Sequence, residues 1–261
     1  MRIVVCIKQV PSVSQVDIDE ETGVLKREGA GTKLNPYDLF ALEAAFLLKE
    51  KNGGTISVIS MGPPQAAQAL REAYFMGADE GYLLSDVKFA GADVLSTAYT
   101  ISQGIRLLGH FDLIICGKQT TDGDTAQVGP AIAECLDIPH VAWVEYMEGE
   151  EGGILVRQDL PDTKETVLMK YPCLISVERG SLIPRLPSYR RMKAMHDLPV
   201  NILKFQSFPD QDESKYGLSG SPTKVVRIFP PDRGDMHEIW IGNGTELSAR
   251  MAEKLTQMKY L

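Results

Sequence analysis

Four short apolar runs recur along the first half of the chain, each followed by a stretch with helical spacing. The runs are Arg2 to Ile7, Thr55 to Ser60, Gly81 to Ser85 and Leu113 to Cys116. The first is almost unbroken, with Ile3, Val4, Val5 and Ile7, as in a parallel strand buried on both faces. Asn35-Pro36-Tyr37-Asp38 has the chemistry of a helix start: a capping residue, a proline at the first position and an acid in the first turn. The helix it opens places Leu39, Leu42, Ala45 and Phe46 on one stripe and should stop near Asn52-Gly53-Gly54. Gln65 to Met76, closed by Gly77, and Asp93 to Leu108 predict the next two helices. This β-α-β-α-β-α-β-α alternation narrows the fold to α/β, a doubly wound, mostly parallel sheet. All βα loops then open on one edge, where such sheets bind ligands.

One of those loops stands apart. The stretch from Phe111 to Glu134 runs from the fourth strand into a helical pattern at Ala131 to Leu136. Between them lie three glycines, three threonines and no bulky apolar residue before Val128. Glycine lets a ligand approach the backbone, and free N–H groups ahead of a helix attract anions. The loop carries neither G-x-x-x-x-G-K-[ST] nor G-x-G-x-x-G. Lys118 is its only cation, and Asp122 and Asp124 would repel a phosphate unless turned away. A phosphate here would rest on backbone N–H groups and on Thr120, Thr121, Thr125 and Gln127, with the aspartates capping the helix or accepting from sugar hydroxyls. An ordinary βα loop that binds nothing is the competing reading. Convergence with Cys6 to Val10, Asn35 to Asp38 and Met61-Gly62 on one edge favours a nucleotide.

Other segments are less regular. Lys8 to Leu34 is too long for a simple connection, and Val16 to Asp19 and Val24 to Arg27 could pair as a hairpin, either plain surface or a flap over the sheet edge. Past Pro139 the pattern changes to antiparallel strands at His140 to Tyr146, Ile154 to Gln158 and Lys164 to Lys170, then a short strand at Cys173 to Val177. Leu182 to Met195 is cationic, apolar and broken by prolines, which suits either a packed connection or a docking segment. The expected division is an α/β domain over residues 1–200 and an extended C-terminal arm over 201–261, ending in a helix at Leu247 to Tyr260 with Leu247, Met251, Leu255 and Met258 on one stripe. An arm with so little core of its own should lie on another surface.

A net charge of -8 argues against electrostatic binding of nucleic acid. No run approaches the length of a membrane span, and the chain enters a strand at once without a signal peptide. Four scattered cysteines suit a reducing, cytoplasmic setting. His110, His140, His196 and His237 lack metal-ligand spacing. No constellation for activating water is visible beyond Asp122 and Asp124, which argues against a hydrolase or synthase; a nucleotide-sensing module without redox chemistry remains an alternative.

Several motifs together resemble the β subunit of electron transfer flavoproteins. They are Val4-Val-Cys-Ile-Lys-Gln-Val-Pro11, Asn35-Pro36 with Ala41-Leu-Glu-Ala-Ala45, Met76-Gly-Ala-Asp79, Cys116-Gly-Lys-Gln119, Asp122-Gly-Asp-Thr-Ala-Gln-Val-Gly-Pro130, Pro184-Arg185 before Met192-Lys-Ala194, and Gly220-Ser-Pro-Thr223. The resemblance implies a heterodimer with an α subunit embraced by the C-terminal arm. It also implies docking of a flavin-dependent dehydrogenase or acyl-CoA reductase between Ser181 and Met195. Within that segment Leu186-Pro-Ser-Tyr-Arg-Arg stands where many members carry a longer stretch with a leucine anchor. Ordinary members hold AMP at the central loop. A second group holds FAD there, takes electrons from NADH and divides them between ferredoxin and an acyl-CoA-type acceptor. Val16 to Gly23, Arg27 to Gly29 and Asn35 to Asp38 are in the style of that second group, so FAD is expected, with AMP the alternative. The residues expected to hold the cofactor are Cys6, Asn35, Pro36, Tyr37, Asp38 and Met61, with Gly117, Lys118, Gln119, Thr120, Thr121, Asp122, Gly123, Asp124, Thr125, Ala126, Gln127 and Val128. No catalytic acid, base or nucleophile is expected, because flavin carries the redox chemistry.

Overall fold

A computed structural model describes residues 1–12, 31–226 and 238–260. The chain divides into two compact units, Met1–Val226 and Arg227–Leu261.

In the first unit, β1 (Arg2–Cys6) lies between β4 (Thr55–Met61) and β6 (Leu113–Gly117), parallel to both. β5 (Glu80–Leu84) adds beyond β4, and β10 (Cys173–Val177) adds beyond β6, again parallel. Val5 is fully buried, as are Ile114 and Ile115 on β6. Two opposed cores account for this. The first packs Val5, Ile56 and Ile115 under α1 (Pro36–Asn52) and α2 (Ala67–Met76). The second packs Val4, Ile114 and Leu174 under α3 (Val94–Leu107) and α4 (Val128–Leu136). Helices on both faces of a mostly parallel sheet make the expected doubly wound fold. The chain leaves β1 toward β4 on one side, while β6 joins from the other, so the reversal of strand order falls between β1 and β6. Ligands of open α/β sheets sit outside the carboxyl ends of strands at such a point.

The antiparallel addition belongs to the same sheet. β7 (His140–Glu150) runs parallel to β10, and β8 (Gly153–Asp159) and β9 (Lys164–Lys170) extend it antiparallel. A separate two-stranded ribbon, β2 (Gln9–Pro11) with β3 (Thr32–Leu34), forms the stem of the long first connection. The hairpin expected at Val16 to Arg27 lies outside the described residues.

Residues 201–226, expected in the arm, pack on the α/β unit instead. β11 (Asn201–Leu203) pairs parallel with β5 at the sheet edge. Phe205, Phe208 and Tyr216 are buried. Phe208 stacks on Phe89 at 5.2 Å, and Tyr216 packs edge-on to Tyr99 at 5.4 Å. Burying each such ring is worth about 2–3 kcal/mol. Their irregular spacing gives neither a strand nor a helix period, which hides the attachment from a periodicity reading.

Tyr189–Met195 forms α5 in the first unit, and the second unit holds α6 (Gly244–Gln257), which begins three residues before the expected Leu247. Asn243 accepts from the Glu246 N–H, and the Glu246 side chain answers to the Asn243 N–H, a reciprocal capping box that fixes this start. The helix buries none of its residues. Among the described residues no helix is long and apolar enough to cross a membrane.

Candidate functional site

At the carboxyl edge between β1 and β6, three loops are fastened to one another. Lys8, just past β1, reaches Asp122 in the loop after β6, with its ammonium 2.8 Å from both carboxylate oxygens. The desolvated Asp122 would tend to stay protonated, but the Lys8 charge outweighs this and holds it below the usual carboxylate range. Both partners are partly solvated, so the pair tethers more than it stabilises. Asn35, at the start of α1, donates to the Gln119 carbonyl at 2.8 Å and accepts from the Thr121 N–H at 3.3 Å. Gln9 donates to the Gln65 carbonyl at 3.1 Å and joins the ribbon to the loop after β4.

Asn35 therefore does not do what its position suggests. It is fully buried and makes no side-chain cap to α1. Its amide is used on the central loop and on Asp38, 2.9 Å away. Pro36 has no N–H, and the Asp38 N–H is taken by the Asn35 main-chain carbonyl at 3.0 Å, so the helix start leaves the amide free for this.

Beneath the loop, Gly117 brings β6 against the first turn of α1. A β-carbon there would stand 2.5 Å from Asp38 Oδ1 and 2.7 Å from the Tyr37 carbonyl carbon. Only glycine permits that approach. Lys118 turns away to Glu178, 2.7 Å distant, over the ring of Trp143. Trp143 escaped notice in the sequence: it holds a left-handed backbone, φ 56°, at an irregularity of β7, a conformation rare for a bulky residue. No sequence pattern marks it.

The outer part of the loop is exposed from Thr121 to Thr125. Asp124 and Ala126 are left-handed, with φ 51° and 56°. Strain of that kind costs about 1–2 kcal/mol per residue and concentrates at functional sites. Gln119 donates to Tyr37 Oη at 3.2 Å and to the Asp124 carboxylate, so this aspartate is turned sideways. α4 starts at Val128, three residues before the expected Ala131, with Pro130 in its first turn. Gln127, at its cap position, gives the helix no side-chain bond. The first-turn N–H groups thus face the Thr121 to Gln127 side. Ser60, at the end of β4 beside Met61, has the one buried side-chain oxygen without a partner among the described residues.

The structure brings Asn35, Tyr37, Asp38, Gly117, Gln119, Thr121, Asp122 and Asp124 together through these contacts, with Lys8 as the member that sequence reasoning passed over. Cys6 lies beside Cys116 in register on β1 and β6. The Cys6 sulfur, and burial, push the Cys116 thiol up, so it serves as packing. Met61 is half-buried at the same edge, without a bond to the rest. Val128 packs into the core beneath α3 and α4.

The donor set is neutral. Lys8 and Lys118 are already paired with carboxylates, so N–H groups, hydroxyls and the positive end of α4 remain for a phosphate. Thr121, Thr125 and Gln127 are the side-chain donors that this part of the loop offers to a phosphate. Among the described residues no group of three or more His, Cys, Asp or Glu is placed to hold a metal ion.

Comparison with known proteins gives a consistent picture. The family model "Electron transfer flavoprotein domain" matches residues 22–203. The electron transfer flavoprotein subunit beta of Thermoanaerobacterium thermosaccharolyticum is 45% identical over 256 residues, 98% of both chains. Subunit CarD of the caffeyl-CoA reductase–Etf complex of Acetobacterium woodii is 40% identical over 259 residues, again 98% of each. The acryloyl-CoA reductase electron transfer subunit gamma of Anaerotignum propionicum is 35% identical over 263 residues and 98% of each.

Proposed function

The chain belongs to the electron transfer flavoprotein family as a β subunit, a partner of an α subunit, and from that premise we propose that it binds FAD at the central loop, accepts electrons from NADH, and serves a complex that divides them between ferredoxin and an acyl-CoA-type reductase. The observation that carries the reading is the fastened loop at the switch point between β1 and β6, which lies where the family's nucleotide is expected. The names of the relatives in caffeyl-CoA and acryloyl-CoA reductase systems support an acyl-CoA-type reductase as the partner.

Bound FAD would supply hydride and electron exchange; the protein supplies position and field. Thr121, Thr125, Gln127 and the first turn of α4 would hold its phosphates. Asn35, Asp38 and Gly117 lie behind the loop and would keep it in place without touching the ligand. Tyr37, tied to Gln119, stands at the first turn of α1, where it would flank a ring and where the helix dipole favours negative charge.

The segment 181–195 would receive the reductase. Arg185 anchors it: its guanidinium meets Glu43 at 2.8 Å and Glu50 at 2.7 Å and lies over Phe46. Ile183, Leu186 and Tyr189 remain exposed beside Arg190, an apolar surface with a basic rim that is suited to a partner. α6, with no buried residue of its own, would bury its stripe against the α subunit, in a cytoplasmic complex. Under anaerobic conditions, NADH should reduce ferredoxin through the heterodimer only while the reductase and its acyl-CoA acceptor are present. Ferredoxin reduction that is indifferent to the acceptor, or no reduction at all, rejects the division of electrons. An ordinary β subunit holding structural AMP is the second reading, and the neutral donor set of the loop suits it too.

A further inference from the structure

The motif Gly220-Ser-Pro-Thr223 is knitted to the start of α3 by one residue, Asp93. Asp93 caps that helix with Oδ1, which accepts from the Ser96 N–H at 3.1 Å. Its Oδ2 accepts from Thr223 twice, from the N–H at 3.0 Å and from the hydroxyl at 2.8 Å. The Asp93 N–H donates in return to the Ser221 hydroxyl at 2.9 Å, and this buried hydroxyl donates to the Gly217 carbonyl at 2.6 Å. A β-carbon at Gly220 would stand 2.2 Å from the Lys215 carbonyl carbon, so only glycine lets the chain turn this close. These bonds make a buckle between segments 130 residues apart in sequence. Just beyond it, Val225 and Val226 are 80% and 95% exposed, and they are the last two residues of the first unit.

We propose that Asp93 is a positioning residue whose buckle holds Val225 and Val226 out as an apolar contact for the α subunit. The proposal extends the reading that α6 meets that subunit, and rests on it. Capping α3 needs one oxygen acceptor, and Asn caps a helix as well as Asp. The second oxygen of Asp93 is free of that duty and serves Thr223, three residues before an apolar pair that nothing in the described chain covers. Burying two valine side chains against a partner removes much apolar surface from water. The pair leads in sequence straight into the unit that carries α6, a helix that likewise buries none of its residues. The partner that covers α6 is therefore the one the chain delivers the valines to. A backbone already fixed at Thr223 has less conformational entropy to lose when Val225 and Val226 are buried, so order in the free chain becomes affinity in the complex.

The test sets each variant of the full chain against an equal amount of wild-type chain for a limiting quantity of α subunit. The two chains in the recovered heterodimer are then counted by peptide mass spectrometry. The double variant Val225→Ser, Val226→Ser should be under-represented at least tenfold. Asp93→Asn, which keeps an oxygen to cap α3 but turns an N–H toward Thr223, should be under-represented about threefold. Thr223→Ser, which keeps both donors, should compete as wild type does. The readout particular to positioning is coupling: in the double-serine background Asp93→Asn should cause no further loss, because no contact is left to place. Equal competition by the double-serine variant overturns the proposal. Met251→Glu on α6, run beside it, shows whether the α6 reading falls as well: it falls if this variant also competes equally, and stands if it does not. Equal competition by Asp93→Asn, or a loss that persists undiminished in the double-serine background, overturns the positioning role and leaves Asp93 a helix cap. Unchanged competition by the double-serine variant with slower electron delivery to the reductase assigns the valines to that partner, which overturns the proposal too. Should Asp93→Asn fail to fold, Thr223→Val, which removes only the hydroxyl, should show a loss of about twofold with the same coupling.

Discussion

Gly117 and Gly123 stand six residues apart in the same loop and should respond to substitution in opposite ways. A β-carbon at Gly117 would overlap Asp38 and the Tyr37 carbonyl group, so Gly117→Ala must push β6 off α1. The urea midpoint should fall by the equivalent of roughly 1–3 kcal/mol at an unchanged slope. At Gly123 the one neighbour of an added β-carbon is the Thr120 hydroxyl, at 3.3 Å. Gly123→Val should therefore leave the melt unchanged and abolish nucleotide retention, since the added bulk stands where a ligand would approach the backbone. Retention of nucleotide by purified Gly123→Val would show that the exposed tip is not the binding surface. Asp38 adds a pH signature. A carboxyl with its folded pKa raised to about 7 binds more protons folded than unfolded, so its ionisation cost grows as the pH rises from about 4 and levels off above 7. From pH 5 to pH 8 the stability of Asp38→Asn relative to wild type should improve by roughly 2–3 kcal/mol, at 1.36 kcal/mol per pH unit. A difference that is flat with pH would mean that the side chain titrates as in water.

At the scale of elements, the strands and helices of the first 140 residues were legible because each face is buried against a regular partner. The unbroken run at Ile3 to Val5 is what burial on both faces demands, and Pro36 and Gly53 bracket α1. Two boundaries moved for local reasons that hydrophobic period does not report: α4 starts before Pro130, and α6 is set by its capping box. The pairing of β7 with β10 was illegible because that neighbour comes 33 residues later, at Cys173, and no short-range signal records it. The geometry of the candidate site was half legible. Loop composition pointed to Gly117 to Gln127, but the roles of Asn35 and Asp38 as inner fasteners depend on contacts over 80 residues of sequence. Residues 181–195, proposed above for docking, carry the same lesson in Arg190 and Arg191, two adjacent cations that look equivalent. Arg191 donates to the Tyr74 and Ala78 carbonyls at 3.0 Å each and so binds the end of α2, whereas Arg190 is exposed. Arg190→Glu and Tyr189→Ala should slow electron delivery to the reductase without altering the melt, whereas Arg191→Glu should lower the melting temperature. Equal effects of the two arginines on the melt would contradict this division of labour.

For the whole molecule the question is whether the central loop carries the proposed nucleotide, and whether that is FAD or AMP. AMP requires only the loops at the switch point. FAD requires further room at the sheet edge for a second phosphate and a ring system. Two features support FAD: the ribbon of β2 and β3 just past Lys8, and Tyr37, held by Gln119 at the first turn of α1. The ring would then lie near the positive end of a helix, which favours a negatively charged reduced form. The purified heterodimer, denatured to release its cofactors, should therefore yield about two FAD, one from this chain and one from the α subunit that its family pairs with it. Its visible absorption should bleach on anaerobic addition of NADH, and Tyr37→Ala should reduce the FAD released to about one while the dimer persists. One FAD with one AMP and no bleaching would instead place the chain with subunits whose nucleotide is structural, and the ribbon would then be surface cover for the sheet edge.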